Sequence, residues 1–203
     1  TVYFPNVLEE SLNELVMRYN LNMNQISHVH YLTRQFFDHL AQDRVKGLTD
    51  KDWFYLTHAI YVFNLGQFID PESSAQHTFY LLANQAIDGL LNHEKLKIAL
   101  IASYKNSVTF NQFVKPFKGW LTKHEQKKFR LIGALLKFTY ALDATKRQVI
   151  KKIEIKVKKK EIKLKLYYQR NPSAESYQAE KQKKHLEQVL KRKIVLEFIE
   201  LDQ

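Results

Sequence analysis

Apolar residues recur at helical spacing through the first 145 positions and then switch to alternation. Leu8, Leu12, Leu15 and Val16 mark one amphipathic helix, and Val29, Leu32, Phe36, Phe37 and Leu40 mark a second, because residues three and four apart share a helix face. Thr49-Asp50 offers a cap for a third helix carrying Trp53, Leu56, Ile60 and Val62. That helix is expected to stop near Gly66, since a glycine just past the periodic residues is a common terminator. After the turn Asp70-Pro71-Glu72-Ser73-Ser74 the pattern predicts helices over 77–88 and 92–105. A looser stretch with Pro116 and Gly119 leads into a long helix over 123–143.

Beyond Thr145 the period becomes two. Ile153, Ile155 and Val157 alternate with Glu154, Lys156 and Lys158, and Ile162, Leu164 and Leu166 alternate with Lys163 and Lys165. Such alternation predicts two strands, joined across Lys158-Lys159-Lys160-Glu161 without a glycine. Asn171-Pro172-Ser173 then opens a helix ending near Arg192, and 194–201 reads as a last strand. The expected fold class is α+β: a mainly helical domain over 1–145 followed by a small ββαβ domain over 146–203.

The 203 residues, 45% of them hydrophobic, support a sizeable core. No cysteine is present, which suits a reducing cytoplasm. No apolar run reaches the roughly 18 to 20 residues of a membrane span, and no signal-peptide layout opens the chain. A cytoplasmic protein without a membrane partner is therefore expected. The chain begins Thr1-Val2-Tyr3-Phe4-Pro5 rather than at a methionine, so it is expected to be a piece of a longer protein.

The net charge of +11 is uneven. Residues 1–145 carry 15 Lys and Arg against 13 Asp and Glu, residues 146–165 carry 10 against 2, and residues 166–203 carry 7 against 6. Nearly all the excess is thus expected in the hairpin segment. Such a block indicates an anionic partner or a solvated edge, and its sign alone does not separate phosphate polymers, nucleic acid and lipid headgroups.

Catalytic signatures are missing from the sequence: no glycine-rich phosphate loop, no metal-protease histidine pair, no nucleophile elbow and no cysteine nucleophile. Of the eight histidines, only His77 stands in a suggestive context.

That context begins at His58-Ala59-Ile60-Tyr61-Val62-Phe63-Asn64-Leu65-Gly66. It continues through His77-Thr78-Phe79-Tyr80-Leu81-Leu82-Ala83-Asn84 and Gly89-Leu90-Leu91-Asn92-His93-Glu94. Together with Arg18-Tyr19, the run 29–38 and the run 135–143, it resembles the C-terminal region of the Ppx/GppA exopolyphosphatase and guanosine pentaphosphate phosphatase family. The resemblance covers roughly residues 8–200, and its specificity lies in the order of individually degenerate motifs.

The resemblance implies a degenerate HD-type phosphohydrolase fold for the helical part. Active HD members place histidines and aspartates around a metal that activates water; here the matching positions read Gln25, Phe63-Asn64 and Tyr140. Phenylalanine and tyrosine are not ligands of a hard cation in the way imidazole or carboxylate are, and amides are weak substitutes. No metal, no cofactor and no catalytic residue is therefore expected in this chain, although His77 persists and Asp143 lies one turn beyond Tyr140. His77 then has two readings, a hydrogen-bonded structural histidine or an anion-facing one.

In the family, hydrolysis takes place in N-terminal actin-like domains that use a divalent metal (Mg). The resemblance thus implies the noncatalytic part of a polyphosphate or pppGpp phosphohydrolase, which helps hold the polyanion and forms a homodimer. The candidate substrate-binding residues are His77, Lys105, Lys123, Lys127, Lys128, Arg130 and Lys137. Lys127, Arg130 and Lys137 are spaced to share a helix face, a pattern that a merely solvated helix also shows.

The hairpin lysines Lys156, Lys158, Lys163 and Lys165 share a face, so like charges are expected across the strands. They either bind an anion or guard an edge against unwanted pairing. The alternative function is a nucleic-acid-binding module on a degenerate HD fold. Its aromatic support in the sequence is Tyr167 and Tyr168, beside the hairpin lysines.

Overall fold

The computed structural model describes residues 4–63, 65, 73–84 and 90–202. Asn64, Gly66, Asp70-Pro71-Glu72 and Asp88-Gly89 lie outside the described residues, as do the side chains of Leu8 and Leu12. The described helices are α1 (Phe4–Arg18), α2 (Met23–Gln42), α3 (Asp50–Val62), α4 (Ser74–Asn84), α5 (Asn92–Ala102), α6 (Ser107–Val114), α7 (Lys123–Ala141) and α8 (Ser173–Leu190). Strands β1 (Ile150–Val157), β2 (Glu161–Tyr168) and β3 (Lys193–Glu200) form one sheet. The class is α+β, with a helical first part and a small sheet at the end.

Local chemistry accounts for several boundaries. Thr49 caps α3: its hydroxyl and its N–H both donate to Asp52 Oδ2, at 3.0 and 2.9 Å, closing a reciprocal box at the helix start. α5 stops at Ala102, short of the expected 105, and a separate helix α6 follows. Its start is set by Asn106, whose Oδ1 accepts from the Thr109 N–H at 2.9 Å. α8 ends at Leu190, where Lys191 takes a left-handed conformation with φ 54°.

By packing, the chain forms two compact units, one of residues 1–23 and 54–133 and the other of residues 24–53 and 134–203. The division follows packing rather than the change of period at 145/146, so α3 and α7 contribute to both units.

In the first unit, Tyr55 meets Phe129 edge-on at 5.9 Å, and the Lys97 ammonium lies over both rings while paired with Glu125 at 3.3 Å. Phe79 of α4 stacks on Phe113 of α6 at 4.5 Å. Leu96, Leu100, Ile101, Phe110 and Leu131 complete this apolar interior.

In the second unit, α2 packs Val29, Leu32, Phe36 and Leu40 into the core, and Phe36 meets Phe138 of α7 edge-to-face at 6.0 Å. Between these helices the buried Thr33 hydroxyl donates to Thr139 Oγ1 at 2.8 Å, and Thr139 donates on to the Leu136 carbonyl at 3.1 Å. The polar pair is thereby satisfied without water.

The sheet order is β1-β2-β3, with β1 antiparallel and β3 parallel to β2. The parallel step requires a crossover, which α8 supplies. Central β2 buries Ile162, Leu164 and Leu166 and exposes Lys163 and Lys165, as one covered face demands. Side chains cover part of each outer edge. The Ile150 carbonyl lies 2.6 Å from a His28 ring nitrogen, and the Ile153 N–H donates to Gln35 Oε1 at 3.1 Å. On β3, the Ile194 N–H donates to Glu187 at 2.9 Å and its carbonyl accepts from Lys183 at 3.1 Å. Edge groups answered in this way offer less of a template for aggregation.

Candidate functional site

Of the described positions matched to HD metal ligands, Gln25 and Tyr140 are engaged around Asp143. Gln25 on α2 donates its side-chain amide to the Asp143 carbonyl at 3.1 Å. Buried Asp143 accepts from the Gln148 N–H at 2.8 Å on one carboxylate oxygen and from Gln148 Nε2 at 3.1 Å on the other. Burial, reinforced by the Asp143 charge, holds the Tyr140 phenol above its ordinary pKa, so it stays protonated at physiological pH. Phe63 belongs to the other unit, and Asn64 is not among the described residues.

Asp143 thus offers a single carboxylate whose oxygens already accept hydrogen bonds, beside a neutral phenol and an amide. This set does not fit a hard divalent cation. Among the described residues, no group of three or more His, Asp or Glu side chains is placed to hold a metal ion.

The charge distribution carries more. From Lys105 to Lys137 the chain has eight cations, Lys105, Lys115, Lys118, Lys123, Lys127, Lys128, Arg130 and Lys137, against the single acid Glu125. By net count the excess does lie mainly in 146–165, where 10 basic residues face 2 acidic ones. Counting over 1–145 averages this second block against acids elsewhere in the chain.

Glu125 is turned inward. Its carboxylate accepts from the Thr122 N–H at 3.1 Å, its N–H donates to Thr122 Oγ1 at 3.1 Å, and Lys97 pairs with it at 3.3 Å. Burial by itself would raise its pKa, but the Thr122 N–H and the Lys97 ammonium hold it below the usual carboxylate value.

Lys115, Lys118, Lys123 and Lys127 are exposed and have no acidic partner among the described residues. Lys115 lies in the 3-10 turn Lys115–Phe117 after α6, Lys118 follows it, and Lys123 and Lys127 stand one helical turn apart at the start of α7. Lys115 and Lys118 are additions to the residues expected from the sequence.

The other expected residues are placed differently. Lys105 is exposed between α5 and α6, and Lys128 is half-buried on another face of α7 from Lys127. Arg130 is drawn against α6: Nη2 donates to Asn111 Oδ1 at 2.5 Å, and the guanidinium lies 5.1 Å from the Phe110 ring centre. Lys137 belongs to the second unit, half-buried, where its charge adds to the burial that lowers the His185 pKa. The stripe of Lys127, Arg130 and Lys137 is therefore not one solvated row, because Ala134 on the same face is buried and Arg130 is drawn against α6. His77 lies half-buried on α4, its N–H donating to the Ser73 carbonyl at 3.1 Å.

The hairpin is less repulsive than its pattern implies. Lys156 does face Lys163, but Lys165 faces Glu154 on β1 and stands in register with Glu197 on β3. Lys163 also pairs with Glu161 at 3.7 Å, and Lys158 lies in the turn. Tyr167 donates to Glu154 at 2.9 Å under the Lys152 ammonium. Nor are Tyr167 and Tyr168 alone among lysines, since Phe117 and Trp120 alternate with Lys115 and Lys118.

Among the described residues no helix is long and apolar enough to cross a membrane. No curated protein matches the chain. The family model described as Ppx/GppA phosphatase, domain III, matches residues 7–190, nearly the whole chain. The order of motifs, the helical part closed by a small sheet, and this match agree: the chain belongs to the Ppx/GppA phosphatase family, in which it represents domain III.

Proposed function

We propose that this domain holds a phosphate polyanion, polyphosphate or guanosine pentaphosphate, for hydrolysis by the family's actin-like catalytic domains with their divalent metal (Mg). It contributes binding and no catalytic group of its own. One observation carries this reading: the exposed Lys115, Lys118, Lys123 and Lys127 occupy a segment whose single acid is committed to Lys97 and Thr122.

A phosphate chain bound there releases counterions, so affinity falls steeply with salt. His77 on α4 and Lys105, just before α6, are assigned to the same substrate-binding surface. A reducing cytoplasm suits the cysteine-free composition. Pairing with a second copy belongs to this reading too.

Titrating this chain with long-chain polyphosphate at two salt concentrations tests the binding role. Replacing the four exposed lysines by glutamine is expected to weaken binding and flatten the salt dependence by about 0.7 in log-log slope for each phosphate that is no longer neutralised. Unchanged affinity and slope in that variant would remove the proposal. Sedimentation equilibrium checks the dimer independently.

A further inference from the structure

We propose that residues 115–120 form a nucleobase subsite that takes single-stranded nucleic acid, with a base stacked on Trp120 and flanking phosphates on Lys115 and Lys118. This rests on the reading of the basic surface as a polyanion site and adds a second recognition element to it.

The segment is built to present the indole. Phe117, Lys118, Gly119 and Trp120 form a turn in which the Trp120 N–H donates to the Phe117 carbonyl at 3.0 Å. Lys118 has φ −56° and ψ 126°, and Gly119 has φ +96°. These are type II turn angles, and the positive φ is what requires glycine at that position. Trp120 emerges 50% exposed, so its indole, apolar in body and polar at its N–H, is available for a contact.

Its orientation is supported from behind. Phe117 meets Trp120 at 5.6 Å and 77°, Phe79 meets Phe117 at 6.1 Å and 73°, and Phe113 stacks on Phe79. An edge-to-face neighbour leaves at least one indole face uncovered, and stacking a base needs only one face.

Charge selects the occupant. An apolar partner would have to desolvate Lys115 and Lys118, which are exposed and without an acidic partner among the described residues. A nucleic acid strand instead presents phosphates beside flat bases, the combination that cationic aromatic surfaces bind. Bare polyphosphate has no group for the indole.

The chain has two tryptophans. Trp53 lies in the other unit against Phe37 and His30, so a fluorescence change that disappears with Trp120 reports this site. Wild type, Trp120→Leu and Trp120→Phe are titrated with a short oligouridylate and, separately, with polyphosphate of equal charge, each variant being checked for folding by circular dichroism. Oligouridylate is expected to quench fluorescence, to bind Trp120→Leu about tenfold or more weakly, and to recover partly in Trp120→Phe. Polyphosphate is expected to bind all three alike. Equal oligouridylate affinity in wild type and Trp120→Leu overturns the subsite. Binding of polyphosphate without any binding of oligouridylate overturns the subsite alone, and binding of neither overturns the polyanion reading with it.

Discussion

Tyr104 lies directly over Gly133, so that a Cβ built on the glycine would stand 2.7 Å from Tyr104 Cβ and 2.8 Å from its ring carbons. Glycine inside a helix normally weakens it by about 1 kcal/mol relative to alanine, yet here alanine has no room. The contact reaches the root of the tyrosine side chain, which moves only with its backbone. Gly133→Ala is therefore expected to destabilise by about 1–3 kcal/mol, as overpacking does, against the helix-propensity trend. Urea denaturation checks the sign, and adding Tyr104→Gly, which removes the Cβ as well as the ring, is expected to remove the overpacking contribution.

Three histidines of the second unit set its response to acid. Burial lowers the pKa of His28, His30 and His185 below the ordinary 6.5. Around His28 the Ile150 carbonyl and the Asp143 charge act in the opposite direction while Lys151 adds to the lowering; Arg34 does so at His30 and Lys137 at His185. The unfolded chain then takes up protons before the folded one. Stability is complete above 6.5 and declines as pH falls through that value toward the lowered ones. Urea midpoints measured above and below pH 6.5 should show this loss, and His28→Gln with His185→Gln should reduce it. A midpoint that rises on acidification contradicts the assignment.

The elements legible in the sequence are those with a long period. α2 and α7 carry many turns of apolar repeats, and β2 alternates cleanly between Ile162, Leu164 and Leu166 and its lysines. α6 has only 8 residues and owes its start to the Asn106 and Thr109 cap, so periodicity does not separate it from α5. α8 ends before the expected Arg192 because Lys191, not glycine, takes the left-handed position. At the site, helix spacing is enough to pick out Lys127, with Arg130 and Lys137, and the family resemblance reaches Lys123. Helix spacing does not reach Lys115, Lys118 and Trp120, since a turn has no period to place a side chain. Their signal is instead a local tally, one acid among the residues from 105 to 137.

Lys156 and Lys163 form the one directly opposed like-charge pair between β1 and β2, and both are exposed or half-exposed. Lys156→Glu would convert it to an attractive cross-strand pair, a change of about 0.2–1 kcal/mol in favour of folding. Because Lys165 already stands between Glu154 and Glu197, the hairpin is read as a managed sheet surface rather than an anion track. Polyphosphate affinity is thus expected to be unchanged in Lys156→Glu. Weaker binding would extend the polyanion surface to the hairpin.

Arg130 separates structural from binding cations on α7. Its Nη2 bond to Asn111 and its position over Phe110 tie α7 to α6 within one unit, and its buried Nε has no hydrogen-bond partner. A charge-assisted bond and a cation–π contact at a half-buried position together contribute about 1–3 kcal/mol, reduced by the unsatisfied Nε. Arg130→Met keeps the apolar contact with Phe110 and removes that orphaned donor, so it is expected to lose less stability than Arg130→Gln. In both variants the urea midpoint should fall while polyphosphate affinity holds. Lys127→Gln should show the reverse, because Lys127 is exposed and makes no described contact with an acid. If Arg130→Met instead weakens polyphosphate binding at unchanged stability, the guanidinium leaves Asn111 for the ligand and belongs to the binding surface.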